Sequence, residues 1–441
     1  MKKILNRNIL VLTLISSVYF IFRVANSLIV SPLFDEYDSP NYFNLSFFPS
    51  IRTHGITLFY SIIKNEVAIS VFQASVGALA WLYLWHAILI QLKKVSLKVI
   101  FSILFFILAC SSVVVEHDSA MMSESLSISA TIFLLGSAIN LRSQANLKSI
   151  NSIYIFSFGI IWFLSTKATN SLLFVPLAII LIFVAYKKLT KVKFSQLLLI
   201  FSLFGTFLFV SALSSDGTQS LTTSGTINNR LVFVPEWKDQ LIKSGYPESA
   251  LKIWERFSQQ NLGMPPDQAV VSSPEFKKWW ENGGDSFLLE FTLKNPDYAI
   301  FAPIVLPIFS ENLNYKKTLL SGWSQGTDLT YEYAEFKSSL LKRSFYWPDE
   351  PEKAYLALSI TFLAIGISLL ILNQLNQTRD ISVILISIML VIFWSYLNWW
   401  FGSKPADMAR HNLSAAILFK IIAIFSTLGS LDKLFTIRKK L

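Results

Sequence analysis

Three carboxylates stand within four positions in FDEYDSPNY, residues 34–42, just after an apolar run long enough to cross a bilayer. Asp35, Glu36 and Asp38 are either the ordinary acids of a wet turn or, at a membrane border, a source of one base that takes a proton from an attacking hydroxyl. A further acid, Glu124 in MMSESLS, opens an otherwise uncharged apolar helix. A carboxylate at the edge of hydrocarbon is costly and marks function, unless it merely sits solvated at the positive end of a helix dipole. Around these acids the sequence supplies groups suited to a phosphate or diphosphate: Arg52, Lys167, Arg410 and His411. For any one cation alone, snorkelling to the interface is the plain alternative.

Glu116, His117 and Asp118 precede Glu124, and His117 beside two acids raises the question of a metal. EHD has neither the spacing nor the partners of a zinc site. His117 therefore reads as an ordinary loop histidine or, with Asp118, as a substrate contact; the metal stays unknown, and with no cofactor called for, a divalent ion is left open. The tryptophans of residues 214–354 could stack on sugar rings, but Trp and Tyr also anchor proteins at membrane interfaces, and anchoring accounts for most of them.

Such groups have to be carried by a membrane protein. Of 441 residues, 53% are hydrophobic and 15% charged, which predicts an all-α polytopic membrane protein. Apolar runs near or above the length of a span cover about 9–30, 67–90, 97–115, 124–141, 194–213, 355–373, 381–401 and 411–430. Two shorter ones, 151–165 and 171–186, flank the polar break TKATN as a tight hairpin, giving about ten transmembrane helices. The first run starts basic like a signal peptide but lacks a small-residue cleavage site, so it reads as an uncleaved span. Cys110, the single cysteine, excludes an intrachain disulfide.

With the amino terminus inside, the inner connections carry 17 Lys and Arg while the short outer ones carry only Arg52, Lys64, Lys167, Lys404 and Arg410. Positive charge stays on the cytoplasmic side. This asymmetry puts both termini in the cytoplasm and every candidate residue outside, and it explains the net charge of +10 without nucleic acid. The first outer loop, with FNLSFF and ITLFYSII, predicts short interfacial helices. The expected layout is a transmembrane core with the first outer loop at 1–213, an extracytoplasmic and mostly helical domain at 214–354, and C-terminal transmembrane helices at 355–441. The domain opens with SSDGTQSLTTSGT, read as a flexible linker, and holds Trp237, Trp254, Trp279, Trp280, Trp323 and Trp347.

The order DSPNYFNLS, RTHGITLFYSII, MMSESLS at the start of a span, an outer hairpin with Lys167, and ADMARHNLSAAILF before the final span resembles the GT-C superfamily. These are polytopic membrane glycosyltransferases that use polyprenyl-phosphate sugars, such as the protein mannosyltransferases and the lipid A aminoarabinose transferases. The resemblance covers about 250 residues of the membrane portion. It implies that an acid of the first outer loop is the catalytic base. Asp38, four residues ahead of Tyr42, fits first, while DEY makes Asp35 and Glu36 look like the paired acids of the mannosyltransferases. Glu124 matches a second acid and Arg410 an arginine before the last span.

The resemblance further implies inverting transfer of a hexosyl or pentosyl group from a polyprenyl-phosphate donor to a glycan, lipid or protein acceptor. The setting it implies is the bacterial inner membrane, facing outward, in cell-envelope polysaccharide biosynthesis. Arg410, Lys167 and Arg52 would hold the donor phosphate. An O-antigen-type polymerase or ligase, which would depend on outer-loop arginines, stays open. So does a transporter or lipid flippase, which would favour ionisable groups near the middle of spans.

Overall fold

A computed structural model of the protein describes residues 2–30, 32, 43, 54–143, 150–186, 189–213, 216–260, 266–300, 351–401 and 405–438, in places, including 2–9, 54–55 and 405–411, by backbone alone. Among these residues every regular element is helical. In chain order they are α1 (Lys2–Ile29), α2 (His54–Ile63), α3 (Glu66–Gln91), α4 (Val95–Ala109), α5 (Glu124–Ser143), α6 (Ile150–Thr166), α7 (Phe174–Tyr186) and α8 (Lys191–Leu213). Then come α9 (Asp216–Asn229), α10 (Pro235–Lys243), α11 (Glu248–Gln260), α12 (Pro266–Ser272), α13 (Pro274–Trp279), α14 (Asp285–Lys294) and α15 (Pro296–Ile300). The last are α16 (Pro351–Gln374), α17 (Thr378–Phe401) and α18 (Pro405–Arg438). Two compact units result: Met1–Ala212 with Trp323–Trp394 and Leu413–Leu441, and Leu213–Gly322 with Ser395–Asn412.

Among the described residues, five stretches are long and apolar enough to cross a membrane: Leu10–Ile29, Glu66–Gln91, Glu124–Arg142, Thr378–Asn398 and Asn412–Ile437. Shorter apolar helices occur at Val95–Ala109, Asn151–Thr166, Phe174–Tyr186, Lys193–Phe209 and Ser359–Gln374. Their outer faces carry exposed Leu10, Leu14, Ile21, Ile103 and Leu203. Water would penalise so much apolar surface, whereas lipid does not.

The first unit is centred on α3, which packs along α5 and α1. Ala74, Ala78 and Ala87 of α3 are buried, and a side chain at Gly136 of α5 would meet the Tyr83 ring and the Leu84 backbone. Small residues let membrane helices approach closely enough to gain dispersion energy that a hydrophobic effect cannot supply in lipid. Trp81, Phe101, Phe105, Ile132 and Ile417 fill the core between α3, α4, α5 and α18. Asn65 begins α3 by accepting the Ala68 backbone N–H at 2.9 Å, a standard way to satisfy a first-turn donor.

Helix α2, part of the ITLFYSII segment of the first loop, buries Ile56 and Tyr60 against Ile69, Met121 and Leu126. Its other side leaves Leu58, Phe59 and Ile62 exposed.

The second unit is built on aromatic packing. Phe276, Trp279, Phe291 and Tyr298 form its core, with Trp237 edge-on to Tyr298 at 5.1 Å and Tyr246 edge-on to Trp279 at 4.9 Å, the geometry aromatic quadrupoles prefer. Trp254 and Trp280 pack against the same core. All four described tryptophans of the segment thus pack as core, whereas the sequence pointed to membrane anchoring; Trp323 and Trp347 lie outside the described residues. Burial pushes the Tyr246 phenol well above its ordinary range, and the Asn228 amide donating to it at 3.0 Å pulls it partly back.

The stretch DGTQSLTTSGTINN is not a flexible linker. It forms α9, with Thr223, Ser224, Thr226 and Ile227 buried. Its helix propensity is poor, but Ile227 enters the core, and Asn228 and Asn229 donate to the carbonyls four residues back at 2.8 Å. Tertiary burial overrides propensity here.

Candidate active site

The N-terminal end of α5 gathers the described candidate residues. Ser111 and the one-turn helix Ser112–Val115 lead from α4 into a 3-10 turn, Glu116–Ser119, and all four of its residues are buried. Burying EHDS is expensive unless each charge is met. The structure meets Asp118 with Arg23 of α1, whose guanidinium grips the carboxylate through Nε at 2.6 Å and Nη2 at 3.0 Å. The Ser125 hydroxyl donates to the same carboxylate at 2.7 Å. Arg23 also donates to the Tyr19 hydroxyl at 3.0 Å. The fork fits because α3 has Gly77 opposite it: a Cβ there would stand 2.5 Å from Nη2 and 2.6 Å from Cζ of Arg23.

The backbone of this turn is held by Gln73 of α3, whose amide donates to the carbonyls of Asp118 and Ala120 at 3.1 and 3.0 Å. The Tyr60 hydroxyl, with one proton, lies within reach of Gln73 Oε1 at 3.0 Å and the Met122 carbonyl at 2.9 Å. Phe43, the residue after Tyr42, rests on Tyr60 with ring centroids 5.6 Å apart. The first loop is thereby tied to the residues that precede Glu124.

Lys167 interrupts the helical hairpin in an extended conformation, and its ammonium donates to Glu124 Oε1 at 2.9 Å, both side chains nearly fully buried. The interruption is itself fixed. Asn170 donates to Ser127 at 3.0 Å and Thr166 at 3.1 Å, and accepts the Trp394 indole N–H at 3.0 Å. TKATN is therefore a packed polar joint linking α5, α6 and α17.

Of the residues expected at a site, Glu124 and Lys167 are paired, Asp118 is held by Ser125, the residue after Glu124, and His117 is buried in the same turn as Asp118. Asp35, Glu36, Asp38, Tyr42 and Arg52 lie outside the described residues, and Arg410 and His411 are placed in α18 by backbone only. No group of three His, Cys, Asp or Glu is arranged to hold a metal among the described residues. Arg23 and Gln73 went unnoticed in the sequence. Both carried a signal, since each is a strongly polar residue inside an apolar span. Compared with protein-family models, curated proteins and solved structures, the chain matches none.

Proposed function

We propose that the chain is an integral-membrane glycosyltransferase that moves a sugar from a polyprenyl-phosphate-linked donor to an acceptor hydroxyl on the extracytoplasmic side of the bacterial inner membrane. About ten spans with both termini cytoplasmic carry it, and residues 214–354 face outward. The observation that supports this reading best is the buried Glu124–Lys167 pair, lying beside the Asp118 turn to which the first loop is tied through Phe43 and Tyr60. Charges at membrane depth are costly to keep and mark functional sites.

In the proposed reaction Asp38 takes the proton of the acceptor hydroxyl. Its oxygen attacks the anomeric carbon, and the bond from that carbon to the phosphate oxygen breaks, so polyprenyl phosphate leaves with the electron pair and the anomeric configuration inverts. Asp38 is five residues before Phe43, a tether of at most about 18 Å, which keeps it in reach of the Glu124 layer. Lys167, oriented by Glu124, joins Arg410 and Arg52 on the donor phosphate, with His117 and His411 as further donors. Asp118, already occupied by Arg23 and Ser125, shapes the turn and leaves the base to the first loop.

The topology draws support from the first unit. Gln91, Arg142, Gln377 and Lys433 line one shared cavity, which is what a common cytoplasmic side for their basic connections requires. Sugar transfer is tested by adding a panel of polyprenyl-phosphate-linked hexoses and pentoses to membranes with and without the chain. Release of polyprenyl phosphate that depends on the chain supports the proposal; no release with any of them counts against it. A transporter or flippase has one observation in its favour, ionisable Arg23 and Lys420 within spans. It predicts movement of the intact donor across sealed vesicles with no release.

A further inference from the structure

A cavity of about 500 Å³ opens in the first unit at the bundle end far from Glu124. Helix ends assemble it: Gln91 closes α3, Arg142 lies in the last turn of α5, Asp380 in the first turn of α17, and Asp432 and Lys433 near the end of α18. Its walls are apolar, with Ile139, Ile384, Ile422 and Phe425. Its mouth is charged, and the charge is unbalanced. Arg142 and Lys433 share the single carboxylate of Asp380. Asp432 is occupied by the backbone N–H groups of Lys93 and Lys94 at 3.0 and 2.8 Å. Lys93 lines the same cavity and adds a further cation. The side-chain N–H₂ of Gln91 is buried without an acceptor among the described residues.

An apolar chamber whose rim holds more cations than acids, plus an unanswered donor, suits a molecule with a hydrocarbon chain and an anionic head. We propose that this cavity binds an anionic membrane phospholipid, its phosphate against Lys433, Arg142 and Gln91 and the start of an acyl chain between Ile139, Ile384 and Phe425. Basic pockets between helix ends recognise lipid phosphates through the same charge and donor complement. The volume falls within the roughly 300–1,000 Å³ typical of ligand sites. The inference stands apart from sugar transfer, since it uses the opposite end of the bundle.

The test is native mass spectrometry of the purified full chain in detergent, titrated separately with phosphatidylglycerol, phosphatidylcholine and inorganic phosphate. Phosphatidylglycerol should be retained at a concentration where phosphatidylcholine is not. Lys433→Gln should weaken that retention at least about fivefold, the size of one cation's attraction to an anionic lipid. Ile384→Trp, which keeps every charge and fills the chamber, should weaken it as well, and it decides the matter if Lys433→Gln fails to fold. Equal retention of both lipids, or wild-type retention by the folded variants, overturns the proposal. Inorganic phosphate binding as tightly as phosphatidylglycerol overturns the lipid assignment in favour of a free-anion site.

Discussion

The two ends of the first unit use the same ion-pair chemistry in different surroundings. At the Glu124 end, Arg23 and Asp118 are 0% and 1% exposed and Lys167 and Glu124 only 9% and 4%. At the other end, Asp380 is only 10% exposed, but its partners Arg142 and Lys433 are 35% and 39% exposed. Buried pairs offset a large desolvation cost only while both partners remain, whereas half-exposed pairs are screened and contribute little. The Glu124 end is therefore rigid and intolerant, and the Asp380 end adaptable. That contrast suits a site that must hold fixed geometry facing one that only has to accommodate a lipid.

Breaking the contrast should be most costly at Arg23. Arg23→Met strands a buried carboxylate and should reduce stability by about 3–5 kcal/mol, read as loss of thermal or denaturant stability in detergent. Arg23→Met with Asp118→Leu should recover most of it, because an uncompensated charge, and not the missing pair, carries the penalty. Lys167→Met should fall near the lower end of that range, about 3 kcal/mol, since a little water reaches this pair. Gly77→Ala comes next, at about 1–3 kcal/mol for overpacking. The guanidinium it meets is pinned by Asp118 and cannot swing aside, so this loss should shrink in an Arg23→Met background. Arg142→Gln should be smallest, about 1 kcal/mol or less by the same unfolding measurement.

What the sequence conveyed differs along the same divide. Five of the apolar spans, the helix at His54–Ile63 and the helical character of residues 216–300 were legible, because long apolar runs and a period near four survive any tertiary arrangement. Glu124 and Lys167 were legible as charges at the border of apolar helices, yet their mutual contact was not, because 43 residues separate them and no local rule pairs them. Arg23 could have been flagged from its place within an apolar span, but its partner, Asp118, lies 95 residues away. The helix α9 was illegible for the opposite reason: its Ser, Thr and Gly residues favour turns and coil locally, and only burial in the second unit makes them helical.

The central claim is tested most directly by following release of polyprenyl phosphate from a lipid-linked sugar accepted by wild-type membranes, with Asp38→Asn and Arg410→Ala beside it. The account predicts that Asp38→Asn abolishes release at normal protein level and membrane insertion, while Arg410→Ala chiefly raises the donor concentration required, and Arg410→Lys restores only part because an ammonium lacks the guanidinium fork. Turnover by Asp38→Asn near the wild-type rate would move the base to Asp35 or Glu36, and wild-type turnover by the corresponding Asn and Gln variants of all three acids would contradict the account.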